Sequence, residues 1–271
     1  GGMSRFFRRS ERAILYIAAG GKCSHCREPL TDGWHADHVR PFSKGGETNI
    51  RNGQALCPTC NLKKGDKGMS TEFHLRQWQR ELIEEYTVAD KREFLAVASV
   101  GAGKTHAAMA LLDTMPNRKM LVVVPKLNVI AGWCSTASQH GMNAHPGYEP
   151  GMDLKVGLSD DQYRVVAITY QALAMSPLQF RMLTSRGDWL VVFDEIHHLD
   201  STGGTWGQAA EQAFKTNGAV SSNIRVLGLS GTPWRTEGTP IPFVQYDGDR
   251  VKPVYTYSYA VAVADQVVRR P

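Results

Sequence analysis

Phe94-Leu95-Ala96-Val97-Ala98-Ser99-Val100-Gly101-Ala102-Gly103-Lys104-Thr105 joins a short apolar run to a glycine-rich turn, and the helix-forming stretch His106–Met115 follows. An apolar run of this length, closed by glycine, predicts a buried strand entering a tight turn at the head of a helix. The backbone N–H groups of such a turn, together with the helix N-terminus, converge on one point and suit phosphate oxygens. Gly101 and Gly103 give the turn its backbone freedom, and Ala98 stands where the pattern usually begins with glycine. Lys104 would reach the outer phosphates of ATP and Thr105 would ligate the accompanying Mg²⁺.

Working outward, similar apolar runs recur at Met120–Val124, Val165–Thr169, Trp189–Phe193 and Arg225–Leu229, with helix-sized segments between them. Strands spaced in this way predict an α/β domain, a parallel sheet with helices on both faces. The fourth of the five runs delivers Asp194 and Glu195 at its carboxyl end, in Asp194-Glu195-Ile196-His197-His198. Ligands of open α/β sheets sit at that edge, so Asp194 is expected in the Mg²⁺ shell and Glu195 beside the hydrolytic water.

Upstream the texture changes near residue 70, where the charged run Lys63-Lys64-Gly65-Asp66-Lys67-Gly68 suits a linker. The expected division is a small domain over residues 1–70 and a larger one over 71–271. The chain is 271 residues with 42% hydrophobic content, enough for both. Residues 1–70 hold 12 Lys+Arg against 6 Asp+Glu, whereas the remainder holds 19 against 20. A basic module of this kind favours a polyanionic partner, nucleic acid first. The sequence has no membrane-length apolar run and no signal-peptide core, so a cytoplasmic protein is expected. Gly1-Gly2 before Met3 reads as a cloning scar.

Four of the five cysteines fall as Cys23-Ser24-His25-Cys26 and Cys57-Pro58-Thr59-Cys60, separated by 30 residues. Two CxxC pairs at this spacing predict a tetrahedral structural Zn²⁺ site that closes a loop which a small apolar core could not hold. Cys134 is remote and reads as a small buried hydrophobe, and His25 as exposed. Between the pairs lie His35-Ala36-Asp37-His38-Val39-Arg40, then Lys44, Asn52 and, after Cys60, Asn61. Residues 20–67 resemble the HNH endonucleases of the zinc-stapled ββα-metal type. The resemblance implies that His38 is the general base, that Asp37 and Asn61 hold a catalytic Mg²⁺ or Mn²⁺, and that Asn52 secures the loop orienting His38. Asn61 stands where many members carry His. His35 is open between packing and phosphate contact, and Arg40, Lys44, Lys63 and Lys64 are the candidate DNA contacts. A zinc ribbon that binds DNA without cutting it is the alternative.

Residues 71–271 resemble superfamily-2 helicases of the DEAD/DEAH-box type, near the restriction and phage-helicase branch. The resemblance rests on the phosphate loop and Asp194-Glu195-Ile196-His197. It rests also on Leu75-Arg76-Gln77-Trp78-Gln79, on Val124-Pro125 with Trp133, on Thr169-Tyr170-Gln171 and on Ser230-Gly231-Thr232-Pro233-Trp234-Arg235. It implies that Gln79 reads the adenine edge, that Trp133 and Gln171 contact nucleic acid, and that the fold is one RecA-like lobe. A second lobe bearing arginine fingers is absent after Arg235, and the tail from Ile241 reads as the segment leading out of the lobe. The expected function is an ATP-dependent DNA-processing nuclease of restriction or anti-phage defence, with RNA left open as substrate.

Overall fold

The computed structural model describes residues 5–65, 75–145, 163–199, 205–231 and 240–267. Among them the chain begins with helix α1 (Arg9–Ala18), strand β1 (His35–His38), strand β2 (Gly53–Leu56) and helix α2 (Pro58–Lys64). β1 and β2 pair antiparallel, Asp37 opposite Gln54 and His38 opposite Gly53, and with α2 they make the ββα unit. Its apolar cluster is small: Ala19, Cys23, Leu30, Ala55 and Leu56, with Trp34, Cys57 and Cys60 packed against it.

The larger fold is a seven-stranded sheet. Its strands are β3 (Glu93–Ala98), β4 (Arg118–Val124), β5 (Ala144–His145), β6 (Val165–Thr169), β7 (Asp188–Asp194), β10 (Ile224–Ser230) and β13 (Tyr255–Tyr257), in the order β13-β3-β10-β7-β4-β6-β5. The five pairs with a defined register run parallel. Two short hairpins, β8 (Lys215–Thr216) with β9 (Ala219–Val220) and β11 (Tyr246–Asp247) with β12 (Arg250–Val251), stand apart from it. All five apolar runs of the sequence are strands. Both faces of a parallel sheet are covered, so its strands are apolar throughout rather than alternating, and Phe94, Ala96, Leu121, Val122, Val192 and Phe193 are sealed from solvent.

Helices α3 (Gln77–Ala89), α4 (Lys104–Asp113), α5 (Leu127–Gln139), α6 (Tyr170–Met175), α7 (Pro177–Thr184), α8 (Thr205–Phe214) and α9 (Tyr259–Ala264) complete the described elements. On α3 the buried residues Trp78, Leu82 and Tyr86 recur every fourth position, one helical stripe. Trp78 stacks on Tyr257 and Tyr86 tilts against Phe94, each with centroids 5.1 Å apart.

Two expectations are corrected. The tail does not simply lead out of the lobe: Tyr255, Thr256 and Tyr257 pair with Ala96, Val97 and Ala98 as an edge strand, because the far side of β3 would otherwise leave its backbone unpaired. Trp133 is 1% exposed and belongs to the core, so its ring is not available to stack on a base.

The described residues form two compact units. One contains 5–65 together with 128–145 and 163–167, and the other contains 75–127, 168–199, 205–231 and 240–267. In the first, Asn143 Nδ2 donates to the carbonyls of Ile50 and Arg51 at 2.8 and 3.0 Å, tying the residues after α5 to the turn before β2. No helix is long and apolar enough to cross a membrane among the described residues.

Candidate functional site

Cys23 sits in the turn after α1, and Cys57 caps the N-terminus of α2, where its sulfur accepts from the Cys60 N–H at 3.4 Å. Cys23 Sγ accepts from the Cys57 N–H at 3.3 Å. The four sulfurs of Cys23, Cys26, Cys57 and Cys60 lie within 4.8 Å of one another, and Cys26 and Cys57 are 3.8 Å apart. A tetrahedron with Zn–S bonds of ~2.3 Å has its sulfurs ~3.8 Å apart, so the set has the size and donor chemistry for zinc. The Cys60 N–H draws the Cys57 thiol down to about 7, whereas burial and the neighbouring sulfurs push the Cys60 thiol up, so with no metal bound the four sulfurs do not ionise together. His25 is exposed, with Nδ1 3.6 Å from Cys60 Sγ.

β1 carries Asp37 and His38 to its end. His38 is 8% exposed, and burial lowers its pKa, so the imidazole is neutral at ordinary pH. Its Nε2 is 2.8 Å from Thr48 Oγ1, and its ring packs against Phe7 and Phe42 with centroids 4.7 and 5.8 Å away. Asn52 clamps the following loop. Its Nδ2 donates to the carbonyls of Arg40 and Glu47 at 3.0 and 2.8 Å, and its Oδ1 accepts from the Arg40 N–H at 2.8 Å. Gly46 is forced by this closure, since a Cβ there would lie 1.9 Å from the Arg40 carbonyl oxygen.

Lys64 overturns its expected place on the DNA surface. Its side chain is only 4% exposed, and its ammonium bonds both the Asp37 carboxylate and the His38 carbonyl. A lysine facing the inner side of α2 can do this because its long stem buries while the charge finds an anion. Gln54 Nε2 also donates to Asp37 at 3.2 Å. Asn61 lies three residues before Lys64 on α2, hence on the same helical face. Arg40, Lys63 and His35 are exposed. The Lys44 side chain and Thr232-Pro233-Trp234-Arg235 lie outside the described residues. Thr48 and the structural role of Lys64 carried no signal in the spacing.

In the sheet, β10 lies between β3 and β7, so the carboxyl ends of the strands bearing Ala98, Ser230 and Asp194 come side by side. Gly101 and Gly103 adopt φ of 79° and 95°, the left-handed region that glycine allows without strain. Lys104 opens α4 with its Nζ 3.2 Å from the Ala98 carbonyl and 3.3 Å from Glu195 Oε1. Glu195 holds φ 51°, and its Oε2 accepts from the Gly231 N–H at 3.1 Å, with His197 Nδ1 at 3.5 Å. A non-glycine residue held at positive φ stores backbone strain that surrounding contacts must maintain.

Gln79 is 4% exposed, and both ends of its amide are engaged: Nε2 donates to the Gly103 carbonyl at 2.9 Å and Oε1 accepts from the Arg76 N–H at 2.9 Å. Thr105 and Asp194 are half-buried at the same edge. Tyr170, fully buried, donates from its hydroxyl to the Asp194 carbonyl at 2.9 Å, a brace missed in the sequence because an aromatic after a strand is commonly only core. Thr169 is used as the cap of α6, accepting from the Ala172 N–H at 3.1 Å, while Gln171 is exposed.

Residues 72–235 match the family model for the type III restriction enzyme, res subunit, and residues 23–67 match that for the HNH endonuclease. An uncharacterized protein of Mycobacterium tuberculosis is 37% identical over 204 residues, covering 72% of this chain and 32% of that protein. The DNA 3'-5' translocase XPB2 of Sulfurisphaera tokodaii is 26% identical over 170 residues, covering 62% of this chain and 33% of that protein. The ATP-dependent Type ISP restriction-modification enzyme LlaBIII bound to DNA superimposes with a TM-score of 0.47 at 14% identity, over 71% of this chain and 15% of that one. The chain spans about a third of the length of these curated relatives.

Proposed function

Because the chain belongs to the type III restriction enzyme res-subunit family and carries an HNH endonuclease module, we propose that it is a restriction-type, DNA-cutting component of defence against foreign DNA, in which the module hydrolyses phosphodiesters and the sheet lobe binds ATP. The observation that carries the reading is the bonded group of His38, Asp37, Asn52 and Lys64. The Asp37 carboxylate already attracts a cation, the Lys64 ammonium, and Asn61 stands on the same helical face as that lysine. One carboxylate and one amide oxygen suit Mg²⁺ or Mn²⁺, and residues Asp37 and Asn61 would hold it. The ion would supply Lewis-acid stabilisation of charge on the scissile phosphate.

The chain's own residues do the rest. Thr48 orients the imidazole through Nε2, leaving Nδ1 as the nitrogen that takes the proton of the attacking water. Asn52 keeps the loop from Arg40 to Glu47 closed over the ring, and Lys64 fixes Asp37 relative to the His38 backbone. In the lobe, Thr105 and Asp194 would hold the Mg²⁺ that accompanies ATP, Lys104, 3.3 Å from Glu195 Oε1, would face the phosphates, and Glu195 would polarise the hydrolytic water. Gln79 links recognition of the adenine edge to the Gly103 carbonyl. Arg40, Lys63 and Gln171 are the exposed contacts assigned to DNA.

Plasmid nicking with Mg²⁺ or Mn²⁺ tests the nuclease. His38→Ala and Asp37→Ala should each lose roughly 10²- to 10⁴-fold in rate. If His38→Ala nicks as fast as the parent protein, a zinc-anchored DNA-binding adaptor replaces the nuclease.

A further inference from the structure

The HNH match begins at residue 23, yet the chain before it is built into the nuclease centre. Phe7 is 8% exposed, with its ring tilted 37° against the His38 imidazole. A Cβ at Gly53 would lie 3.0 Å from Phe7 Cε1 and 2.7 Å from Leu15 Cδ1, so the bare backbone of Gly53 is the seat into which both side chains pack. These two anchors fix the segment from Arg5 to the first turns of α1. Arg5, Arg8 and Arg9, on the same segment, are exposed.

The fourth arginine of the segment makes the contrast. Arg12 stacks its guanidinium 4.6 Å from the centroid of the Trp34 ring and donates to the Trp34 carbonyl at 3.2 Å, a structural use. None of the other three guanidiniums forms an ion pair among the described residues. Guanidiniums match phosphate oxygens in planar, two-pronged geometry and are weakly hydrated, so three of them on a fixed mount next to a water-activating histidine suit a phosphodiester backbone.

We propose that Arg5, Arg8 and Arg9 form a phosphate-binding arm, outside the family-matched region, that holds the nucleic-acid backbone beside His38. The proposal rests on the nuclease reading for its catalytic consequence but not for its binding consequence, and the two can be tested separately. The full chain is compared with R5Q/R8Q/R9Q, R5K/R8K/R9K and His38→Ala, after zinc content and circular dichroism establish equal folding. Affinity for a short DNA duplex is measured by fluorescence anisotropy in EDTA across a salt series, and plasmid nicking is measured with Mn²⁺.

The glutamine variant should bind roughly 10- to 100-fold more weakly at low salt, with a slope of log K against log salt shallower by about 2 to 3, one phosphate per arginine. Its nicking should fall at low DNA concentration and recover at saturation, while the lysine variant keeps the slope. Parent-like affinity and slope in the glutamine variant, with His38→Ala inactive, would overturn the arm and leave the nuclease standing. A lost slope combined with an active His38→Ala would support the arm as a DNA contact and remove the nuclease reading instead.

Discussion

In the sheet unit Leu121, Val122, Val192 and Phe193 sit on β4 and β7, are wholly excluded from water, and are flanked by aromatic packing such as Phe193 on Phe243 at 5.2 Å. In the HNH module the apolar cluster is Ala19, Cys23, Leu30, Ala55 and Leu56, with Trp34, Cys57 and Cys60 packed against it. The first region closes by burying apolar surface, worth about 25 cal/mol per Å². The second has too little of it and brings four cysteine sulfurs together instead. The difference teaches that the two regions should fail independently and for different reasons.

The largest effect expected from this contrast is at the metal. Cys57→Ser removes one of four ligands from a site whose binding energy, about 10–16 kcal/mol in zinc peptides, is also folding energy. Elemental analysis should fall from one zinc per chain, and limited proteolysis should cut within residues 5–65 while the sheet lobe resists. A folded, zinc-free module would break the comparison.

The converse probe is Leu121→Ala, on a central strand with no exposed surface. It should destabilise the lobe by about 2–5 kcal/mol, read by urea unfolding, and leave zinc stoichiometry unchanged. Loss of zinc in this variant would mean that the regions are not independent. The smallest effect sharpens where the HNH module ends. Asn143→Ala deletes two hydrogen bonds to the turn at Ile50 and Arg51. It should cost about 1–3 kcal/mol, read as faster amide exchange at Arg51 and Asn52, with no change in the sheet strands. Unchanged exchange would detach residues 128–145 from the module's stability.

Much of this was legible in the sequence. Phe94–Val100 and Trp189–Phe193 announced strands because a strand covered on both faces must be apolar at nearly every position. Cys23, Cys26, Cys57 and Cys60 announced a cluster because paired CxxC turns have few other uses. The two-residue strand at Ala144 and the three-residue strand at Tyr255 were not legible, since edge pairing of so few residues needs no pattern of its own. Trp133 and Lys64 were misplaced for one reason: residue type suggests a nucleic-acid contact, but depth decides whether the side chain can make it.

The sequence by itself determined the order of the chemistry along the chain: the thiolate pairs, Asp37-His38, the glycine loop ending in Lys104-Thr105, and Asp194-Glu195. Each depends on spacing within a turn or a strand, which local backbone geometry sets. Only the tertiary structure decided which of these groups meet. It put the Lys64 ammonium on Asp37, seated Phe7 against the His38 ring, and brought Gly231 to Glu195 across adjacent strands. Those contacts join residues 27 to 36 positions apart, and no local periodicity encodes them, because they arise from how buried faces and unpaired charges find partners once the chain has closed.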